Sequence, residues 1–287
     1  MSFYQKHKSA FALAFLIVLA LSLPACKKPP EATAPVTGPY GKQVLVDDGM
    51  GGQIWVREIE ELPVSNFEES DFAANGEFVT YTGGDFSVRQ GVDVSFYQGR
   101  IDWRAVKSAG IDFAIIRAGY RGYTEGALYE DERFEENLSG AKAAGLDVGV
   151  YFFSQALNEA EAKEEAAFVL NLLRNRYLDL PVFFDWEQIE DQKNGVRTDN
   201  MAGTELTDCA LAFGNAISAE GYEPGLYFYR KLGYFLYELE RLRGLTFWAA
   251  APGDFPDFYY AHSSWQYSYT ARVDGFGGYV DLDLQFT

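Results

Sequence analysis

Residues 146–187 read LDVGVYFFSQALNEAEAKEEAAFVLNLLRNRYLDLPVFFDWE, which spells one strand, one helix and a second strand. LDVGVYFF (146–153) and LPVFFDWE (180–187) are short apolar runs rich in β-branched and aromatic residues, the composition of buried strands. Between them Asn158 stands three residues before Glu161, the spacing of a capping box. Apolar residues then recur at Ala162, Ala166, Val169, Leu170 and Leu173, one face of a helix. Two apolar strands joined by such a helix form a parallel βαβ unit. The second strand runs out in Asp185 and Glu187. Two carboxylates beside an apolar run are costly unless the strand end opens into a polar cleft.

The pattern extends in both directions. Further candidate strands are GVDVSFY (91–97), DFAIIRAG (112–119), PGLYFY (224–229), LTFWAAA (245–251), SSWQYS (263–268) and GYVDLDLQF (278–286). A second helix starts near Thr204, carries Leu206, Ala210, Phe213 and Ile217 on one side, and stops at Gly221. The last three strands leave little room for helices. The expectation is therefore an α/β fold: an irregular, TIM-like β/α barrel of eight strands with fewer helices in its C-terminal part. The chain of 287 residues, 48% hydrophobic, has material for one such barrel.

In a barrel of this kind chemistry sits at the carboxyl ends of the strands. By period-two alternation Asp93 shares a face with Ser95 and Tyr97, Asp185 with Glu187, and Asp281 with Asp283. The first and eighth strands of a closed barrel are neighbours, so Asp93 and Asp281 can approach one another, with Asp185 and Glu187 facing them. Any one of these acids alone reads as a solvated strand end. Three apolar strands that each carry acids at inward positions point to a site. Crowded carboxylates push one another's pKa apart, so one keeps its proton while others stay ionised. That division suits glycoside hydrolysis, in which a leaving oxygen is protonated and a cationic sugar centre develops. The other reading of an acid cluster is a Mg²⁺ or Ca²⁺ site. A high aromatic share, 16%, and the lack of a phosphate-cradling glycine loop favour sugar. His7 and His262 are the only histidines, so neither a His-built metal site nor a Ser-His-Asp triad is expected, and no cofactor is implied. The net charge of −18 excludes nucleic acid as an expected partner.

The N-terminus reads as targeting rather than fold. Lys6 and Lys8 precede an apolar run from Ala10 to Leu23, too short for a comfortable membrane span. It ends in LPAC (23–26), which resembles a bacterial lipobox and implies cleavage before Cys26 and lipid on that residue. Cys209 then has no intrachain partner and reads as a small buried hydrophobe in its helix. The expected organisation is a lipoprotein signal peptide (1–25), a Pro/Ala/Thr-rich tether (26–41), a small β-rich extension (42–89) and the barrel (90–287). Within the extension, QIWVREIE (53–60) and GEFVTYTG (76–83) read as strands. The location this implies is the bacterial cell envelope, with the protein exported and held on a membrane by the lipid on Cys26.

GVDVSFYQGRIDWRAVKSAGIDFAIIRAGYRG, AGLDVGVYFF, FFDWE, WQYS and VDLD, in that order, resemble the lysozymes of glycoside hydrolase family 25 over about two-thirds of the chain. The resemblance implies an irregular β/α barrel that cleaves the β-1,4 bond between N-acetylmuramic acid and N-acetylglucosamine in peptidoglycan glycan strands. It puts the family's acid on Glu187, its companion on Asp185, the first-strand acid on Asp93 and the C-terminal acid on Asp281, with Asp283 where the family often has Asn. Tyr151, Tyr227, Trp248 and Trp265 are candidate sugar platforms. The chain departs from the family pattern at Tyr151-Phe152-Phe153, at Arg117-Ala118-Gly119 and at Trp248-Ala249-Ala250-Ala251-Pro252. Phe152 points opposite to its neighbours and reads as packing, as does Trp186. Two alternatives remain: a glycosidase of different bond specificity, which Phe183 two residues before Asp185 counts against in its chitinase-like form, and a non-catalytic glycan-binding lipoprotein.

Overall fold

The structure is a computed structural model that describes residues 36–38, 41–49, 51–189 and 195–287. Cys26, the signal peptide and most of the tether lie outside the described residues.

Fourteen strands and five α-helices are described. Three strands, β1 (Val36–Gly38), β2 (Gly41–Asp47) and β3 (Gln53–Arg57), form an antiparallel sheet, and β4 (Phe72–Asn75) with β5 (Phe78–Tyr81) forms a hairpin. The chain then enters β6 (Val88–Val94), α1 (Trp103–Ser108), β7 (Phe113–Arg121), β8 (Leu128–Glu130), α2 (Phe134–Ala143), β9 (Asp147–Ser154) and α3 (Glu159–Leu173). After these come β10 (Val182–Trp186), α4 (Gly203–Ala219), β11 (Pro224–Tyr229), α5 (Arg230–Phe235), β12 (Thr246–Ala250), β13 (Ser264–Ala271) and β14 (Val280–Phe286).

Eight strands close the barrel in the order β6-β7-β9-β10-β11-β12-β13-β14, with β14 returning to β6. From β6 to β13 all neighbours are parallel, while β14 is antiparallel to both of its neighbours. The short connection between Ala271 and Val280 dictates this, since a parallel return needs a crossover of a dozen residues or more. The eight-strand α/β barrel with helices concentrated in its first part matches the expected fold. The helix caps also follow from the sequence. Asn158 Oδ1 accepts from the backbone N–H groups of Ala160 (3.0 Å) and Glu161 (3.1 Å), and Glu161 reaches back to the N–H of Leu157.

Most of the core lies between the outer face of the barrel and the helices, and it includes Phe152, Trp186 and Cys209. A smaller cluster plugs the barrel interior: Phe113, Ile115, Leu180, Phe183, Tyr227, Trp248 and Ala250. Its large rings fit because glycine stands opposite. A Cβ on Gly91 would lie 2.1 Å from the Phe113 ring, and one on Gly225 would lie 2.3 Å from that of Phe183. His262 is buried against Phe67, Phe258 and Phe286, with Nδ1 2.9 Å from the carbonyl of Tyr260.

The end of the first barrel strand differs from the expectation. β6 ends at Val94, and Ser95 caps a 3-10 turn, Phe96–Gln98, its hydroxyl accepting from the N–H of Tyr97 and its own N–H donating to Gln98 Oε1. Tyr97 therefore leaves the Asp93 face and stands on the rim, 57% exposed.

Candidate active site

Above the plug, the inward positions of the strands turn from apolar to acidic. Asp93 of β6 is paired directly with Asp281 of β14, and Asp283 sits one inward position deeper on the same strand. Closure by an antiparallel strand thus puts three carboxylates side by side. Asp185 and Glu187 come in from β10, the latter just past the strand's last residue. Asp93, Asp185 and Asp283 are buried, whereas Glu187 and Asp281 keep a partly exposed edge toward the mouth.

The hydrogen bonds sort the acids. Gln266 Nε2 donates to Asp93 Oδ2 (2.7 Å), and Gln266 Oε1 accepts from the Tyr227 hydroxyl (3.0 Å). The Trp248 indole N–H donates to Asp283 Oδ1 (2.8 Å). The Asp281 and Asp283 carboxyls lie against that of Asp93, so a proton on either can be donated to it. Burial lifts Asp93 to about 6, and the bonds from Gln266, Asp281 and Asp283 limit the rise. Burial pushes Asp281 and Asp283 well above the usual carboxylate range, and the charge on Asp93 pushes in the same direction. In this arrangement Asp93 carries the negative charge while the two β14 acids keep their protons and donate to it.

Burial lifts Glu187 to about 7, with the charge on Asp93 adding to the rise and the Arg117 guanidinium opposing it. Asp185 is also raised, by burial first and then by the charges of Glu187 and Asp93. Desolvation is thus the first cause of the raised Glu187 pKa, and repulsion from neighbouring carboxylates comes second. The cluster pairs a proton donor that titrates near neutrality with an ionised carboxylate, the two roles that acid-assisted bond cleavage requires.

Arg117 and Gln266 are noted in the sequence only within family motifs and are not among the expected site residues. Arg117 is the third inward residue of β7 after Phe113 and Ile115, and its Nε donates to Asp131 Oδ2 (2.8 Å). Gln266 was hidden between the two aromatics of WQYS. Gln155 was also missed. It follows the end of β9, donates to the Glu187 carbonyl (3.3 Å) and accepts from the Thr198 hydroxyl (2.6 Å), tying the β10 loop in place.

The aromatic candidates divide. Tyr151 is partly buried against the interior cluster, and Tyr227 is buried with its hydroxyl tied to Gln266. Trp248 points inward but is 1% exposed, packed edge-on to Phe183 and Tyr227 as the floor beneath the acids. Trp265 is on the opposite face from Gln266 and is fully buried, donating to the Ala251 carbonyl and packing on Phe72 and Tyr267. Neither tryptophan has a free ring face, which corrects the expectation that they serve as sugar platforms. An open groove of ≈ 620 Å³ lies elsewhere, between α1 and α2, but its one carboxylate, Asp102, is engaged in capping α1.

The profile of the family described as Glycosyl hydrolases family 25 matches residues 92–276. Lysozyme M1 from Streptomyces globisporus is 29% identical over 280 residues, which span 92% of this chain and 86% of that protein. The autolytic lysozyme of Clostridium acetobutylicum is 27% identical over 202 residues, 68% of this chain and 55% of that protein. Among solved structures, a bacterial lysozyme from Streptomyces coelicolor superposes with a TM-score of 0.55 at 27% identity, covering 70% of this chain and 93% of that one. The modular autolysin LytC from Streptococcus pneumoniae, in complex with a synthetic peptidoglycan ligand, shares the fold with a TM-score of 0.61 at 22% identity, covering 88% of this chain and 58% of that one.

Proposed function

The chain belongs to glycosyl hydrolase family 25, and on that premise we propose that its five-carboxylate mouth cleaves the glycan strand of peptidoglycan. The enzyme is a glycoside hydrolase, a muramidase acting on the β-1,4 bond between N-acetylmuramic acid and N-acetylglucosamine. What supports the assignment of roles is the register that sets Asp93 beside Asp281 and under the Gln266 amide, with Glu187 nearby and lifted by burial to about 7. Glu187 is the general acid and protonates the glycosidic oxygen as the bond breaks. Ionised Asp93 faces the positive charge that develops at the sugar carbon, and Asp281 and Asp283 hold Asp93 in that state through the hydrogen bonds they donate. Asp185 orients the acetamido group or stabilises the same cationic centre. Tyr151 and Tyr227 line the walls below.

The proposed organisation keeps residues 1–25 as a lipoprotein signal peptide, 26–41 as a tether from lipidated Cys26, 42–89 as a β-rich extension and 90–287 as the catalytic barrel. That arrangement exports the protein and anchors it at the bacterial cell envelope, within reach of the wall.

Purified protein is expected to release muropeptides with reducing N-acetylmuramic acid ends. Reducing N-acetylglucosamine ends identify a glucosaminidase instead, and no release identifies a binding module. Glu187→Gln is expected to fold normally and lose at least about a hundredfold in turnover; near-normal turnover removes Glu187 from the acid role. Radioactive palmitate is expected to label the wild type and not Cys26→Ser, and equal labelling of both disproves the anchor.

A further inference from the structure

The β7–β9 ladder carries an irregularity beside the acids. Arg117 pairs with Tyr151, but Gly119 pairs with Phe152 and Tyr120 with Phe153, leaving Ala118 as an extra residue. Such a bulge re-aims the side chains that follow it. Without it Tyr120, three residues beyond Arg117, would point to the opposite face. With it Tyr120 returns to the inner side, where the Arg117 guanidinium lies over its ring at 5.4 Å.

This places aromatic rings at one level of four hydrogen-bonded strands. Asp185 of β10 pairs with Phe153 of β9, Phe153 with Tyr120 of β7, and Tyr120 with Tyr129 of β8. Two strand spacings set the Tyr120 backbone about 10 Å from that of Asp185, and Tyr129 lies one spacing further out. β8 is not a barrel strand. It pairs only with β7 and carries the row past the rim. Tyr120 and Tyr129 stack with ring centroids 5.2 Å apart and planes 26° apart, and Tyr129 is 41% exposed. The pair packs as cross-strand neighbours, and it leaves Tyr129 exposed on a strand that only extends the mouth.

We propose that Phe153, Tyr120 and Tyr129 form a sugar-stacking track that leads away from the catalytic acids and holds N-acetylhexosamine rings of the glycan strand beyond the pair flanking the scissile bond. The flat, C–H-bearing faces of pyranose rings match exposed tyrosine faces, and such rings supply contact area at small entropic cost. The bulge at Ala118 is the device that aligns the track with the acids. The inference rests on the muramidase reading for its ligand and deepens it by assigning where a longer strand lies.

The test compares peptide-free peptidoglycan tetra-, hexa- and octasaccharides. In the wild type kcat/KM rises with length, and in Tyr129→Ala the gain from the shortest to the longest is reduced about three- to tenfold, with Tyr129→Phe restoring it. Calorimetric binding of the same oligosaccharides to Glu187→Gln protein, with and without Tyr129→Ala, is read separately. It is expected to weaken by a similar factor for the longer ligands. A wild type that binds glycan without cleaving it refutes the catalytic reading and leaves the track standing. A length dependence and a binding constant both untouched by Tyr129→Ala overturn the track, as does a loss that Tyr129→Phe fails to restore.

Discussion

Replacing Gln266 by leucine removes one of three hydrogen bonds that keep Asp93 ionised. The direction follows from the chemistry. Gln266 donates to the carboxylate, so its removal favours the protonated acid, and Asp93 rises above its present value of about 6. A hydrogen bond to a charged group is worth about 1.5–3 kcal/mol, which corresponds to about 1–2 pH units. In the wild type Asp93 is ionised above about 6 and Glu187 is protonated below about 7, so kcat/KM peaks between these values. In the variant the Asp93 limb crosses the Glu187 limb, and the fraction of enzyme with both groups correctly set falls about tenfold at the old optimum. Glu187 loses part of its own rise as well, because the charge on Asp93 contributes to it. The assay is the initial rate of clearing of a peptidoglycan suspension, followed from about pH 4 to pH 9 and reduced to kcat/KM. A thermal melt accompanies it, since the Tyr227 hydroxyl also loses its partner. An acid limb that stays in place would falsify the assignment of that limb to Asp93, whatever happens to the overall rate.

Asp283→Asn is expected to keep kcat/KM within about threefold and leave the acid limb where it is, because an amide N–H donates to Asp93 much as a protonated carboxyl does. A large loss, or a shift of the limb in the same pH–rate measurement, shows that Asp283 works as an anion. His262 is the source of an acid-sensitive contribution to stability. Burial lowers it from 6.5 to about 4, so the folded state favours the neutral ring; this stability is present above pH 6.5 and is lost as pH falls through the folded pKa. The full loss is about 3 kcal/mol. His262→Phe removes it, so the denaturation midpoint of the variant should fall less than that of the wild type between about pH 6.5 and pH 4. Parallel pH dependences in the two proteins contradict the account.

The sequence alone determined the βαβ rhythm, the eight strands and the pairing of Asp185 with Glu187 on one face. These follow from periods of 3.6 and 2 residues and from the rule that barrel chemistry gathers at carboxyl ends. It also brought Asp93 to Asp281, because closure makes the first and last strands neighbours. Tertiary structure decided which ring faces have room for sugar. Trp265 and Gln266 are adjacent, and only the phase of β13 in the barrel turns the glutamine to the acids and the tryptophan to the core. Trp248 does point inward, but it lies in the plug, a depth that alternation does not encode. The order of the carboxyl pKa values was likewise out of reach, since burial is their first cause and burial belongs to the assembled barrel. The bulge at Ala118 broke the period that sequence reading relies on. Tyr120 and Tyr129 meet through the β7–β8 pairing, and the unpaired residue turns that pair to the inner face.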